Sequence, residues 1–284
     1  MADVRLLGPV EIRELAEQLD VTPTKKLGQN FVIDANTVRK IVKVAGVEPG
    51  ETVVEIGPGL GSLTLGLAEA GASVVAVEID GRLAAQLPQT FAEMAPDAAL
   101  TVVHADALEV TELPQAPSRL VANLPYNVSV PVLLHFMEHF PSIRSGVVMV
   151  QAEVGHRLAA APGSKIYGAP SAKAAWYGDW SIAGTVSRQV FWPVPNVDSV
   201  LVGFERHAAE PGDEVLRKRT FAVIDAAFGQ RRKMLRQALA ELCGGSAAAS
   251  DLLEQASVAP TDRGEQLALP AFISIAKLLP VERR

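Results

Sequence analysis

The residues with the clearest chemical potential lie at positions 123–127, which read Asn-Leu-Pro-Tyr-Asn. The side-chain oxygen of Asn123 and the backbone carbonyl of Leu124 can each accept one N–H bond from a planar amine. Two such bonds draw the nitrogen toward tetrahedral geometry and aim its lone pair outward. Pro125 stiffens the turn, because its ring fixes φ, and Tyr126 offers a face for stacking. The motif predicts chemistry at an exocyclic nitrogen such as that of adenine, although these residue types also suit a plain turn.

A glycine-rich turn upstream predicts a cofactor site. Residues 53–64 read VVEIGPGLGSLT, so an apolar run enters a turn with glycines at 57, 59 and 61, and an apolar stretch of helical character follows. In α/β nucleotide-binding units such glycines let the backbone approach the ligand closely. Glu55 precedes the turn, and no spaced third glycine serves a pyrophosphate. S-adenosylmethionine therefore fits this turn better than NAD.

Three further apolar stretches, which begin at residues 73, 100 and 120, lead into polar residues. With the glycine-rich turn, four predicted strand ends carry Gly57, Glu78, Asp106 and Asn123. Ligands of open α/β sheets bind beyond the carboxyl ends of the parallel strands. We therefore expect these four residues to share one crevice, with Glu78 accepting the ribose hydroxyls of the cofactor.

Five ordered motifs link the chain to a known family. They are KKLGQNF at 25–31, VEIGPGLG at 54–61, NLPYNVS at 123–129, FWPVPNVDS at 191–199 and AFGQRRKMLR at 227–236. The motifs resemble those of the ribosomal RNA adenine dimethyltransferases. Within that family the chain is most similar to the small-subunit dimethyladenosine transferase A branch. The resemblance spans about residues 24 to 270.

The resemblance implies a substrate, a mechanism and a map of the site. The family transfers two methyl groups to each of two adjacent adenines near the 3′ end of small-subunit (16S) rRNA, within an immature 30S particle. It implies in-line transfer from the sulfonium of S-adenosylmethionine, without a metal or a covalent intermediate. The target base is expected between Tyr126 and Phe191, although Phe191 could instead seal a core edge. Matched by position, the cofactor contacts are Asn30, Val32, Gly57, Glu78, Asp106 and Asn123.

The order of patterns predicts the fold class. Alternating strands and helices indicate a Rossmann-like α/β sheet of the class I S-adenosylmethionine-dependent methyltransferases, with a small C-terminal all-helical domain. We expect an N-terminal extension over 1–23, a catalytic domain over 24–207 and a helical RNA-binding domain over 208–284. A short helix is expected within 10–20. Late strands near 184–190 and 199–205 should form an antiparallel edge, and the Gly/Ala/Ser-rich stretch 244–250 a flexible connection.

The net charge of −6 argues against an RNA ligand until its distribution is considered. Residues 24–43 carry a net +4 and residues 213–240 also carry +4, so the remainder carries −14. Two basic stretches on an acidic protein are typical of a locally docked RNA binder, although either could be a solvated helix face. The candidate RNA contacts are Lys25, Lys26, Arg217, Lys218, Arg219, Arg231, Arg232, Lys233 and Arg236.

Composition narrows the remaining possibilities. The chain has no unbroken apolar run of about eighteen residues and no signal-peptide pattern, so we expect a cytoplasmic protein without a membrane partner. Cys243 is the single cysteine and lies outside every motif, which leaves no candidate for a cysteine nucleophile. His135 and His139 have helical spacing but no carboxylate pattern beside them, so we expect no metal site. We expect a monomer.

Three alternatives stay open from the sequence. The antibiotic-resistance methyltransferases resemble the chain but modify large-subunit rRNA. DNA and protein-glutamine methyltransferases also use Asn-Pro-Tyr motifs, although the inserted Leu124 and the basic C-terminal stretch weigh against them. The protein could also act chiefly as an assembly factor whose binding, rather than its catalysis, matters. The intact set of Gly57, Glu78, Asp106 and Asn123 favours an active enzyme.

Overall fold

The computed structural model describes residues 4–21, 30–125 and 128–279. Its strands are β1 (Phe31–Val32), β2 (Thr52–Ile56), β3 (Ser73–Glu78), β4 (Leu100–His104), β5 (Arg119–Asn123), β6 (Ser145–Gln151), β7 (Gly178–Val186), β8 (Phe191–Trp192) and β9 (Ser199–Arg206). Its helices are α1 (Pro9–Gln18), α2 (Ala35–Ala45), α3 (Ser62–Glu69), α4 (Gly81–Met94), α5 (Ser129–His139), α6 (Ala152–Leu158), α7 (Ala169–Ala174), α8 (Glu214–Gly229), α9 (Leu235–Ala238), α10 (Ala240–Cys243), α11 (Ser246–Gln255) and α12 (Leu269–Leu278). Within these ranges no helix is long and apolar enough to cross a membrane.

A seven-stranded sheet with the order β4-β3-β2-β5-β6-β9-β7 positions the site. Strands β2 to β6 run parallel to one another, and β9 runs antiparallel to β6. The chain winds outward from β2 to β4 on one side and then crosses to β5 on the other. A crevice opens at the carboxyl ends of strands where the winding direction changes in this way. The predicted Rossmann-like sheet is confirmed.

Buried valines account for the formation of the central strands β2 and β3. Strand β2 carries Val53 and Val54 with no exposed surface, and β3 carries Val74, Val75 and Val77 at 1% exposure or less. Parallel strands are covered by helices on both faces, so they are apolar almost throughout rather than alternating. Polar residues expected at the crevice depart from this rule at or just beyond the carboxyl ends of β3, β4 and β5; they are Glu78, Asp106 and Asn123.

The late strands differ from the prediction in position. The segment near 184–190 was expected to be one strand, but β7 ends at Val186, a 3-10 helix covers Arg188–Val190, and Phe191 begins β8. Strand β8 leaves the main sheet and pairs antiparallel with β1. Most residues of β7 are exposed or half-buried, so this edge strand lacks the apolar alternation by which a strand is found in sequence. The strand near 199–205 is present as β9.

The described chain divides into two compact units at boundaries that differ from the expected domains. One unit consists of the described residues up to 155 together with 181–206. The other, which we call the helical unit, consists of 156–180 together with 207–279. Aromatic packing explains why 156–180 belongs with the helical unit. Tyr167 contacts the edge of Phe228, and Trp176 contacts Phe221, with ring centroids 5.8 and 6.2 Å apart. The expected boundary at 207 is close to one of these divisions, and the domain assignment itself stays a prediction.

The helical unit also corrects the prediction for residues 244–250. Gly244 and Gly245 have φ values of 79° and 143°, which close a turn, but α11 already begins at Ser246. The run of alanines after Ser246 has high helix propensity, and Ala249 is fully buried. Only the two glycines form the connection.

Candidate active site

A cavity of about 270 Å³ lies at the carboxyl ends of β2, β3, β4 and β5. The predicted residues that line it are Asn30, Val32, Gly57, Glu78, Asp106, Asn123, Leu124 and Pro125. Tyr126, Lys25 and Lys26 lie outside the described residues. Strand register explains the convergence, because Val77 and Glu78 of β3 pair with Ile56 of β2 and His104 of β4, respectively.

The glycine-rich turn allows a close approach of backbone at two positions. Gly57 has a φ of 67°, and a Cβ added to it would lie 3.8 Å from the ring of Pro125. Gly59 has a φ of 58°, and a Cβ there would meet the ring of Phe31 at 2.9 Å. Positive φ is costly for other L-residues, so both positions require glycine. The turn therefore brings bare backbone to the cavity wall.

Glu78 is a buried carboxylate held at both oxygens. Its Oε2 accepts from the backbone N–H of Gly59 at 3.1 Å, and its Oε1 accepts from that of Asp80 at 2.9 Å. The side chain is 5% exposed. Burial raises the pKa of Glu78, and the two N–H bonds oppose that rise. Each oxygen keeps a second lone pair for a ligand hydroxyl.

Asp106 lies on the neighbouring strand end, just beyond β4. Its Oδ1 accepts from the backbone N–H of Leu108 at 2.9 Å, so the carboxylate is fixed by a local turn. Leu108 and Ile79 also line the cavity and are 38% and 60% exposed. Two apolar side chains beside a carboxylate acceptor can bind a flat ring that bears an amine.

The amide of Asn123 has a defined orientation. Its Nδ2 donates to the backbone carbonyl of Asn30 at 3.0 Å. A carbonyl oxygen can only accept, so the nitrogen end of the amide must be the end that faces Asn30. The Oδ1 atom is therefore the end left to accept bonds from a ligand.

The next two residues continue this wall. The backbone N–H of Leu124 donates to the carbonyl of Met149 at 3.1 Å, and its side chain is 1% exposed. Pro125 follows, and its carbonyl accepts from the N–H of Val128 at 3.3 Å. Anchoring at both ends fixes the peptide between Asn123 and Pro125.

Phe191 does not line this cavity, and its predicted place beside the target base stays a prediction. It is 1% exposed, belongs to a buried apolar cluster with Val32 and Val186, and is absent from the cavity wall. Its position in β8 opposite Val32 turns it into that cluster. The alternative in which Phe191 seals a core edge describes its position. Phe31 also lines the cavity, and no role was predicted for it.

Glu55 lines the cavity but was not among the predicted cofactor contacts. It is 1% exposed, and its Oε2 has no hydrogen-bond partner among the described residues. Burial raises the pKa of Glu55 to about 8, the nearby Thr64 hydroxyl opposes the rise, and the charge of Glu78 adds to it. The signal was present in the sequence, since an acidic residue inside a buried strand needs a partner. A cationic ligand group would supply one.

The raised pKa makes a prediction about stability. Between about pH 4.5 and about 8, the unfolded chain releases a proton that folded Glu55 retains. The free energy of unfolding of the ligand-free protein should therefore fall across this window, by a few kcal/mol from Glu55. Glu55→Gln should remove that part, leaving the variant more stable than wild type above pH 8. Urea unfolding at pH 5 and pH 9 measures the difference, and a gap between the two proteins that does not change with pH contradicts the assignment.

The candidate RNA contacts of the helical unit fall into four groups. Arg217 is 6% exposed with its guanidinium over the ring of Phe221, so it is not available to RNA. Three others have protein partners: Lys218 pairs with Glu214, Arg219 donates to the Leu279 carbonyl, and Arg231 pairs with Glu265. Arg236 is half-buried. Arg232 and Lys233 are exposed and form no ion pair with the residues described.

Comparison with known proteins decides the family. The model of the family described as Ribosomal RNA adenine dimethylase matches residues 22–279. The chain belongs to the ribosomal RNA adenine dimethylase family. This confirms the resemblance that the five motifs indicated.

Two relatives match this member of the dimethylase family over nearly their whole length. A protein of Leifsonia xyli subsp. xyli named Ribosomal RNA small subunit methyltransferase A is 74% identical over 278 residues, which cover 97% of this chain and 99% of the relative. A protein of Corynebacterium efficiens with the same name is 58% identical over 280 residues, or 97% of each chain.

Two solved structures share the fold of this family member. A dimethyladenosine transferase from Plasmodium falciparum has a TM-score of 0.71 at 22% identity, covering 85% of this chain and 94% of its own. The 23S rRNA methyltransferase ErmE has a TM-score of 0.64 at 24% identity, covering 88% and 99%. At these identities the likeness supports the methyltransferase fold alone.

Proposed function

We propose that the protein dimethylates the N6 amine of two adjacent adenines near the 3′ end of small-subunit (16S) rRNA, with S-adenosylmethionine as methyl donor. The orientation of the Asn123 amide at the cavity wall carries the proposal. Family membership and the names of the two relatives support the substrate. The rRNA is bound in an immature 30S particle, and the enzyme acts as a monomer in the cytoplasm.

The residues of the cavity fit S-adenosylmethionine. Glu78 would receive the ribose hydroxyls, since each of its oxygens retains a lone pair. Asp106 would accept from the adenine amine beside Ile79 and Leu108. The unpartnered oxygen of Glu55 suits the ammonium of the methionine part, and Gly57 lets the backbone pass close beneath it. When bound, the cofactor supplies a methyl group activated by an adjacent sulfonium.

The target amine is prepared by Asn123 and Leu124. The lone pair of adenine N6 is delocalised into the ring, so the amine is a poor nucleophile until that pair is localised. Asn123 Oδ1 and the Leu124 carbonyl each accept one N–H bond, and the Asn30 and Met149 carbonyls keep both acceptors in place. Pre-organised acceptors of this kind cost no rearrangement during the reaction. Tyr126 stacks on the base, and the proton leaves from the methylated, cationic amine without a dedicated base.

The helical unit contributes to RNA affinity through Arg232 and Lys233. Both side chains are exposed, whereas most of their basic neighbours have acidic or carbonyl partners within the unit. A cation that is already paired releases fewer counterions when it meets a phosphate. The contribution of the basic stretch 213–240 is therefore expected to be concentrated in these two residues.

Neutralising the pair should change the salt dependence of binding. The double variant Arg232→Ala/Lys233→Ala should bind small-subunit particles more weakly. The negative slope of log K against log salt should become shallower by about 1.5. Filter binding between 50 and 250 mM salt measures the slope. Lys218→Ala is the matched control, because Lys218 is paired with Glu214 at 2.5 Å and its loss should change the slope by less than half as much. A slope change from Lys218→Ala that reaches half that of the double variant contradicts the assignment, because every cation would then contribute alike.

A transfer assay tests the proposed function itself. Purified protein with labelled S-adenosylmethionine should modify small-subunit particles isolated without dimethyladenosine, and each 16S molecule should accept about four methyl groups. Large-subunit particles serve as the matched control. Label found only in large-subunit rRNA would establish the alternative substrate, and particle binding without label would establish a role as an assembly factor alone.

A further inference from the structure

The N-terminal segment, residues 4–21, has no part in the function described so far. It contains α1, whose buried Ile12 and Ala16 belong to one continuous apolar cluster. That cluster also contains Leu60 and Leu83, which line the cofactor cavity. The segment therefore packs behind the cavity wall rather than on an unrelated surface.

A polar connection runs from the end of this segment to Glu78. The carbonyl of Asp20 accepts from Arg82 Nη1 at 2.8 Å. The same guanidinium binds Asp80 as a fork, with Nη2 to Oδ2 at 2.8 Å and Nε to Oδ1 at 3.2 Å. The backbone N–H of Asp80 then donates to Glu78 Oε1 at 2.9 Å. Three steps thus join the segment to the carboxylate of the cavity.

Charge gives Arg82 a second effect on this site. Asp80 and Glu78 are two carboxylates only two residues apart, and the charge of Asp80 contributes to the raised pKa of Glu78, after burial. Arg82 holds the pKa of Asp80 below its ordinary value through the side-chain hydrogen bonds. Without the Arg82 guanidinium the two acids would face each other uncompensated, and the Asp80 carboxylate would keep only its capping bond from the backbone N–H of residue 82, at 2.9 Å.

We propose that Arg82 is a positioning residue of the cofactor site, which fixes Asp80 and through it the orientation in which Glu78 receives the ribose hydroxyls. The carbonyl of Asp20 is its second anchor. This inference rests on the proposed function, because it assigns Glu78 to the ribose. Arg is suited to the task since its planar guanidinium presents several N–H groups in a fixed fork and can bind both acceptors at once.

The backbone of Asp20 offers a way to move the second anchor without touching Arg82. Asp20 has a φ of 49°, in the left-handed region that Asp, Asn and Gly tolerate and β-branched residues avoid. Asp20→Gly should leave its carbonyl in place. Asp20→Val should strain the turn and displace that carbonyl from Arg82. The exposed position of Asp20 makes both variants compatible with folding.

Affinity for two ligands separates a positioning role from general packing. Calorimetry would measure the dissociation constants of S-adenosylhomocysteine and of its analogue without ribose hydroxyls. Arg82→Met should bind S-adenosylhomocysteine about tenfold more weakly, and the analogue as tightly as wild type does. If Arg82 only supports the fold, both ligands lose affinity equally, and that result overturns the inference.

Four further variants test whether the loss of affinity comes from the two anchors of Arg82. Arg82→Lys keeps the charge but cannot span both acceptors, so we expect about a threefold loss, and Asp20→Val should cause a similar one. Asp20→Gly and the control Arg39→Met, which removes an equally exposed arginine from α2, should stay within about twofold of wild type. Unchanged affinity in Arg82→Met overturns the inference and leaves the proposed function intact. A wild-type protein that does not bind S-adenosylhomocysteine overturns both.

Discussion

Asn123→Ala will lower the single-turnover rate of methyl transfer by about a thousandfold or more. The variant loses Oδ1, one of two acceptors that localise the amine lone pair, and removal of one pre-organised polar group from such a site costs about 100- to 1000-fold. It also loses the bond from Nδ2 to the Asn30 carbonyl, which fixes the wall of the cavity. Particle affinity should change by less than about threefold, because the basic surface is untouched.

The measurement is a single-turnover assay with labelled S-adenosylmethionine and saturating enzyme, alongside filter binding of the same particles. Asn36→Ala provides the matched control, since Asn36 is an exposed asparagine on α2. It should react at the wild-type rate. If Asn123→Ala retains more than about a tenth of the wild-type rate, the amine is not activated by this side chain.

Glu78→Ala will weaken the binding of S-adenosylhomocysteine by about a hundredfold. Hydrogen bonds to a charged acceptor contribute about 1.5–3 kcal/mol each, and the ribose would lose its acceptor. The N–H groups of Gly59 and Asp80 would also lose their partner, so the glycine-rich turn would lose part of its support. Both effects act on the same ligand.

Calorimetry and thermal unfolding should be combined for this variant. Glu78→Gln is the control for size, because its amide retains one oxygen acceptor, and it should lose about tenfold in affinity. Affinity of Glu78→Ala within threefold of wild type contradicts the ribose assignment. A change in unfolding temperature without a change in affinity would mean that Glu78 serves only to support the turn.

The core of the fold was predictable because its signals are local. Strands β2 to β5 are short apolar runs rich in Val that end in turn or polar residues, and the structure confirms each of them. The two-residue strands β1 and β8 were not predicted, because their pairing joins residues about 160 positions apart and carries no periodic signal. Strand β7 was misplaced because its exposed edge position removes the apolar alternation.

Residues at strand ends were predicted more reliably than residues whose environment depends on packing. Gly57, Glu78, Asp106 and Asn123 lie together because parallel strands bring their carboxyl ends to one edge. Phe191 was expected at that edge, yet the pairing of β8 with β1 buries it. The sequence shows that residue 191 is aromatic, but it does not show whether that side chain faces the cavity or the apolar core.

The same limit applies to charge. Arg217 was counted as an RNA contact, but it is buried, with its guanidinium over the ring of Phe221 on the same helix α8. Glu55 was read as a feature of the turn and not as a ligand, because burial of a carboxyl group becomes visible only when the surrounding strands are in place. The chemistry of both residues depends on their burial.

The most direct test of the central claim is mass mapping of methylated adenines in ribosomal RNA from cells with the gene, without it, and with its Asn123→Ala form. We expect two adjacent dimethyladenosines near the 3′ end of 16S rRNA in the first strain and unmodified adenines there in the other two. Identical 16S rRNA in all three strains, or a difference confined to large-subunit rRNA, would contradict the account.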